Sequence, residues 1–255
     1  MVSAVSSPLR ALLWDVDGTL AETERDGHRI AFNAAFREAS IALHWDAEEY
    51  GSRLAITGGK ERIAAALQQL RGTAPDREEL ERLQAAKQLH YSALVEAGAI
   101  QLKPGVAAMI AAANAAGLRQ ALVTTSGRSA VTALVRRCLG SLAEALELWV
   151  CGEDVARKKP DPQAYLLAME RLELPPAAAL AIEDTGNGLQ AATAAGLGCV
   201  ISLSHYGSRE SMQRYDSALA VVQGFGPGAE VIRGPACAAA GVGLAYLQQL
   251  VAGRG

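Results

Sequence analysis

The chain has 255 residues, half of them hydrophobic and one fifth charged, enough apolar material for a real core and too much for a disordered tail or a disulfide-stapled miniprotein. Its 24 Lys plus Arg against 27 Asp plus Glu leave a formal charge of -3, which provides no single-sign field to collect nucleic acid or an anionic membrane. The length falls between one domain and two, and aromatics at only 5% favour small-residue helices laid on a sheet over an aromatic-cored sandwich.

Residues 1–10 hold no apolar stretch suited to a signal peptide, and no window approaches the ~20 apolar residues of a bilayer span. Residues 11–16 form an apolar run broken only at its end, by Asp15, the pattern of a strand covered on both faces. The next hundred residues exceed what a crossover needs and read as helices over 25–40, 62–70 and 77–97, the first placing Ile30, Ala31, Ala34, Ala35 and Phe36 on one face. They predict a helical domain at 24–96 inserted into a core of 1–23 and 97–255; the alternative is one larger domain with a helical excursion.

From about residue 118 onward, strand-like runs at 120–124, 146–151, 180–182 and 199–203 alternate with helices. Helix 104–116 has Pro104 at its start and Gly117 past its end, helix 161–173 opens on Asp161-Pro162 as cap and first residue, and helix 187–195 is closed by Gly196. The tail, 224–255, reads as a Gly/Pro-interrupted loop and a helix at 243–251. This rhythm predicts an α/β fold, a Rossmann-like doubly wound parallel sheet whose ligands sit beyond the carboxyl ends of the strands. Cys138, Cys151, Cys199 and Cys237 are too scattered for a zinc site and read as reduced thiols.

The first strand ends in Asp15-Val16-Asp17-Gly18-Thr19, two carboxylates that start on one face, with Gly18 allowing a sharp departure. Asp-Gly alone also punctuates ordinary turns. Glu183-Asp184 ends a later strand. Side by side, these strand ends bring at least three carboxylates together, a cluster that calls for a cation with an oxygen shell, such as Mg²⁺. Thr124-Thr125-Ser126-Gly127 is a hydroxyl-rich turn that suits either an anion or a plain helix cap. Lys158-Lys159-Pro160 places a basic residue before the following helix, or a solvated pair of charges.

Taken in order, Asp15-Val16-Asp17-Gly18-Thr19, Thr124, Lys159-Pro160 and Glu183-Asp184 resemble the four motifs of the haloacid dehalogenase-like superfamily, over essentially residues 9–222. The segments 21–33 and 57–63 are similar to its CbbY-like group, which includes phosphatases of xylulose-1,5-bisphosphate, a Rubisco misfire product. The resemblance implies a Rossmann-like core with an inserted α-helical cap domain. It implies a Mg²⁺-dependent phosphatase with Asp15 as nucleophile and Asp17 as general acid and base. It further implies Asp15, Asp184 and the Asp17 carbonyl as metal ligands, Glu183 as their support, Lys159 as the neutralising cation with Lys158 second in line, and Thr124, Thr125 and Ser126 around the phosphate.

The cap is expected to decide specificity. Lys60 and Arg62, beside Gly58-Gly59, are candidates for a second phosphate, with exposed helix-start charges as the alternative, and Glu24 and His28 are candidates for sugar hydroxyls, His28 otherwise being a helix-surface residue. The expected partner is a small sugar phosphate, not nucleic acid or membrane. A monomer is expected in the cytoplasm, or in the plastid stroma if a transit peptide has been removed. A phosphoglucomutase-type mutase and a broad-specificity sugar-phosphate phosphatase remain open alternatives.

Overall fold

A computed structural model describes residues 9–237 and 241–253, so most of the N-terminal stretch read above lies outside the described residues. Seven strands form one sheet: β1 (Ala11–Trp14), β2 (Arg119–Val123), β3 (Leu148–Val150), β4 (Ala179–Glu183), β5 (Gly198–Ser202), β6 (Ala220–Val222) and β7 (Val231–Arg233), in the order β3-β2-β1-β4-β5-β6-β7. All neighbours are parallel except β6 and β7. The doubly wound sheet expected from the strand and helix rhythm is thus present, with β1 in its interior and the acidic strand ends of β1 and β4 side by side.

Alternation along the strands divides the core into two layers. Leu12, Trp14, Leu122, Leu180, Ile182 and Val200 face one layer, packed by α5 (Val106–Ala115), α6 (Arg128–Leu139) and α9 (Leu244–Ala252). Ala11, Leu13, Ala121, Val123, Ala181 and Ile201 face the other, packed by α7 (Gln163–Leu172) and α8 (Gly186–Ala194). The chain between β1 and β2 folds into α1 (Arg29–Glu38), α2 (Ala47–Arg53), α3 (Gly59–Arg71) and α4 (Arg77–Glu96), around a cluster of Phe32, Phe36, Trp45, Tyr50, Ile63 and Leu67. Tyr206, from the loop after β5, joins that cluster.

Several sequence expectations need correction. Pro104 does not open α5: Gly105 intervenes at φ +79, and the helix starts at Val106, because a side chain at 105 would run into the Phe225 backbone. Asp161 caps α7 from one residue further back than expected, its Oδ1 accepting from Gln163 N at 2.9 Å while Pro162 occupies the cap position. Ile30 is exposed, and Phe32 takes its place in the apolar face, because the chain makes a π turn over Glu24–His28 before α1 and so enters that helix at a different rotation. The loop expected at 224–242 contains β7, and Val242, Leu247 and Val251 are buried against the α5 side of the sheet. None of the helices among the described residues is long and apolar enough to cross a membrane.

Candidate active site

At the carboxyl ends of β1 and β4, Asp15, Glu183 and Asp184 bring carboxylate oxygens within 4.8 Å of one another, all three residues buried. One ammonium enters this cluster. Lys159 Nζ donates to Asp15 Oδ1 at 2.7 Å, to Glu183 Oε1 at 2.6 Å and to the Val123 carbonyl at 2.7 Å, which uses all three of its hydrogens. Tyr165 of α7 adds a fourth donor, its hydroxyl reaching Glu183 Oε1 at 2.5 Å, and the bare Gly188 of α8 makes room for the rest of that carboxylate. Glu183 is thereby held from several sides, while Asp15 and Asp184 keep oxygens free of a cationic partner.

The electrostatics follow from three buried carboxylates with one lysine bonded to two of them and a second, Lys103, acting on Asp184. Burial pushes the Asp15 carboxyl up to about 8, against the pull of Lys159 and with the help of Glu183 and Asp17. Burial, then Asp15 and Glu183, push Asp184 well above the usual carboxylate range. Burial opposes the charge on Lys159, but Asp15 and Glu183 together hold it above the ordinary lysine range. A site that penalises its own carboxylates in this way is relieved by a second cation, and its all-oxygen donors suit Mg²⁺.

Asp17 faces a different environment. Thr23 Oγ1 donates to its Oδ1 at 2.5 Å, the Ser126 hydroxyl donates to Oδ2, and His28 Nε2 lies 2.9 Å from Oδ1. The far side of the imidazole settles the tautomer: buried Lys87 Nζ donates to His28 Nδ1 at 2.8 Å, so Nε2 carries the hydrogen and donates to Asp17. Burial works against the Asp17 charge, but His28, Ser126 and Thr23 outweigh it and hold the carboxyl well below the usual range. His28 is 4% exposed and stacks on Tyr91 at 4.2 Å, so it is not the surface histidine allowed for above. Gly27 makes this possible, since any side chain there would displace Tyr91.

A cavity of about 540 Å³ opens over these groups, lined among others by Asp15, Asp17, Glu24, Arg62, Thr125 and Asp184. Arg62 is buried, with its Nη1 donating to Tyr50 Oη at 2.6 Å and 3.6 Å from Glu24 Oε2, while the Tyr50 hydroxyl donates to the same Glu24 oxygen. A smaller adjoining wall of His28, Gly59, Gln84, Lys87 and Ser126 faces a second pocket. Lys60 is exposed and lines neither cavity, since the start of α3 turns it outward. Thr124 is buried and its Oγ1 accepts from Ser126 N at 3.0 Å, which fixes the turn that presents Thr125 and Ser126. Lys158 points away from the carboxylates and pairs with Glu61 of α3 at 2.5 Å, leaving the interior place to Lys159.

Sequence reasoning missed Lys87, Tyr50 and Tyr165. For Lys87 a signal existed: Leu83, Lys87, Tyr91 and Val95 recur every four residues along α4, so a single charge stands in an otherwise apolar stripe. Tyr50 and Tyr165 carry no such mark, because an aromatic at helical spacing reads as core.

Residues 9–196 match the family model of the haloacid dehalogenase-like hydrolases. Over 212 residues the chain is 44% identical to the CbbY protein of Cereibacter sphaeroides, covering 83% of this chain and 91% of that one. The crystal structure of CbbY from Rhodobacter sphaeroides in complex with phosphate matches with a TM-score of 0.78 at 41% identity, covering 85% of this chain and 94% of that one. A mutant of that protein in complex with xylulose-(1,5)-bisphosphate matches equally, with a TM-score of 0.78 at 40% identity and the same coverage, 85% and 94%. Motif order, fold and relatives therefore agree: the chain belongs to the haloacid dehalogenase-like hydrolase family and is a phosphatase of its CbbY-like group.

Proposed function

We propose that this phosphatase removes one phosphate from a sugar bisphosphate, xylulose-1,5-bisphosphate above others, with Mg²⁺ and through an aspartyl-phosphate on Asp15. The observation that carries the reading is the buried pairing of Asp15 with Lys159, Glu183 and Asp184 beside a separately tuned Asp17. The bisphosphate in the CbbY complex supports the substrate class. In this reading residues 24–96 act as a cap on a core formed by 1–23 and 97–255, and the four free cysteines support a reducing compartment such as the cytoplasm or plastid stroma.

The donor set fits the metal: Asp15 and Asp184 have carboxylate oxygens to offer, the Asp17 carbonyl would complete the protein's share, and Glu183 supports them through Lys159. When bound, Mg²⁺ supplies charge neutralisation for the phosphoryl group and the carboxylates around it. Asp15 attacks phosphorus in line, forming the Asp15–phosphorus bond as the bond to the sugar oxygen breaks, and Asp17 delivers a proton to that oxygen. Water then attacks the aspartyl-phosphate, Asp17 takes its proton, and phosphate leaves with Asp15 restored. The hydrogen bonds on Asp17 favour its ionised form, the one needed for the second half; the proton it delivers in the first half is therefore one it takes up as the negatively charged substrate arrives beside it, and the proton it then takes from water restores it. Lys159 holds Asp15 and neutralises the incoming phosphoryl charge, while Thr125 and Ser126 face its remaining oxygens.

Arg62 is the cap cation placed to meet the second phosphate, with Glu24 and Gly59 beside the sugar. Thr124 acts on the turn and not from the cavity wall. The test is a phosphate-release screen in which xylulose-1,5-bisphosphate competes with ribulose-1,5-bisphosphate and glucose phosphates, with and without chelator. Preferential, Mg²⁺-dependent release from the xylulose compound is expected. An isomeric sugar phosphate without free phosphate would replace hydrolysis by phosphoryl return to the sugar.

A further inference from the structure

We infer that Lys103 is a positioning residue that locks the two loops flanking Asp184 and thereby sets the site's affinity for a divalent cation. The motif reading assigns this lysine nothing. It stands where the chain returns from the helical insertion: its backbone N donates to Leu20 O at 2.8 Å, next to the bridge between Ala21 and Leu102. Its side chain is buried, at 8% exposure, and its ammonium donates to the carbonyls of Gly18 at 2.7 Å, Ser202 at 3.1 Å and Leu203 at 2.9 Å. An ammonium has three hydrogens, so this one is fully committed to backbone and has none left for a ligand.

The three carbonyls belong to two loops that meet over Asp184. Gly18 follows Asp17 with φ +85, and its Cα lies so close to the Asp184 carboxylate that a side chain there would overlap Oδ2. Ser202 ends β5, and Leu203 precedes Ser204, whose Cβ lies with the Asp184 carboxylate against Gly18. One buried cation thus ties the turn carrying Asp17 to the loop carrying Ser204, with Asp184 held between them. Without it, three carbonyls lose their donor at once, while the bond from His205 N to Glu22 Oε1 at 3.0 Å still joins the same two loops. The tether also comes from the segment that leads out of the insertion, so any movement of residues 97–103 is felt at Asp184.

The inference rests on the Mg²⁺ reading for its second half but not for its first. In the full-length protein, hydrogen exchange of peptides covering 16–23 and 202–207 and Mg²⁺ titration calorimetry are compared for wild type, Lys103→Met and Lys103→Arg. In Lys103→Met, exchange in those peptides should be about tenfold faster or more and the Mg²⁺ dissociation constant about tenfold to a hundredfold higher, the range found when groups supporting metal ligands are removed. Lys103→Arg should recover much of both. The kcat for phosphate release should fall with Mg²⁺ saturating while KM stays within about threefold.

The sign discriminates. Removing a positive charge that merely sat near the site would tighten Mg²⁺ binding, so tighter binding, or unchanged exchange in both peptides, overturns the inference. Should Lys103→Met fail to fold, Lys103→Gln, which keeps two donors but no charge, should shift exchange and Mg²⁺ affinity in the same direction by less, and no shift in either overturns the inference. A wild-type protein that takes up no Mg²⁺ defeats the metal reading, while the exchange comparison still decides whether Lys103 locks the loops.

Discussion

The sheet core and the helical insertion between β1 and β2, the cap of the proposed function, bury their interiors with different materials. Around β1 the sheet is sealed by Ala11, Leu13, Ala121, Ala179 and Ala181, all without exposed surface, which lets backbone pack closely on backbone. The cap gathers Phe32, Phe36, Trp45 and Tyr50, and sets the cations Arg62 and Lys87 over their rings, 5.2 Å from Tyr50 and 5.0 Å from Phe32. Such rings offer apolar bulk with a polar edge and accept cations on their faces. The core therefore crowds carboxylates on closely packed strands, and the cap holds its cations against aromatic rings, where Arg62 and Lys87 are buried. Chemistry should fail when the first is altered, and selectivity when the second is.

The largest expected effect tests the core. Asp15→Asn should lower kcat by about 10⁴-fold or more with the circular dichroism spectrum unchanged, because the nucleophile cannot be replaced. Retained turnover would mean that the chemistry is not on this strand end. Next, at the seam between the two regions, His28→Leu should reduce kcat by about 10²-fold with a smaller change in KM, since one of the three donors on Asp17 is lost while Thr23, Ser126 and the carboxylates under it stay in place.

In the cap proper, Arg62→Met should raise KM for a bisphosphate by about tenfold to a hundredfold, the ~1.5–3 kcal/mol of a charge-assisted hydrogen bond, and leave kcat within about threefold. A kcat loss approaching that of Asp15→Asn would erase the division of labour. Lys87 sharpens it through stability. Burial, only partly offset by Glu24 and Asp17, lowers this lysine from 10.5 to about 8. A depressed lysine costs stability while it is charged in the fold, and that cost fades as pH rises from about 8 to 10.5. Unfolding free energies of wild type relative to Lys87→Met, from denaturant titrations, should therefore rise across that window by up to about 3 kcal/mol. The smallest effect concerns the rim, where Lys158 and Glu61 join core to cap but remain 24% and 48% exposed. Glu61→Gln should cost at most about 1 kcal/mol in unfolding free energy, and less at high salt.

The core was more legible than the cap because of how its strands are buried. Parallel strands buried on both faces leave continuous apolar runs, and residues 11–16, 120–124 and 180–182 fell on β1, β2 and β4 within a residue or two. Strand-end acids stand out against such runs, so Asp15, Asp17, Glu183 and Asp184 could be read as one cluster before any geometry. β6 and β7 have three residues each, too short for a period to register, and β7 runs against the others beside a Gly/Pro-rich loop. In the cap the face a side chain takes depends on helix rotation, which spacing alone leaves loose. Hence Lys60 turned outward, Arg62 turned inward, and Ile30 and Phe32 exchanged places.

The π turn at Glu24–His28 shows how much rides on that rotation. A π turn amounts to one residue inserted into a helix, and each residue of an α-helix advances about 100° around its axis. Removing a single residue here, Gly27 for instance, would regularise the helix and swing every later side chain of α1 by that angle relative to the preceding linker. His28 would leave Asp17, and a different side chain would arrive over the cavity. The length of this short segment thus works as a dial: an insertion or deletion of one residue here re-aims the whole of α1, where a substitution changes a single side chain.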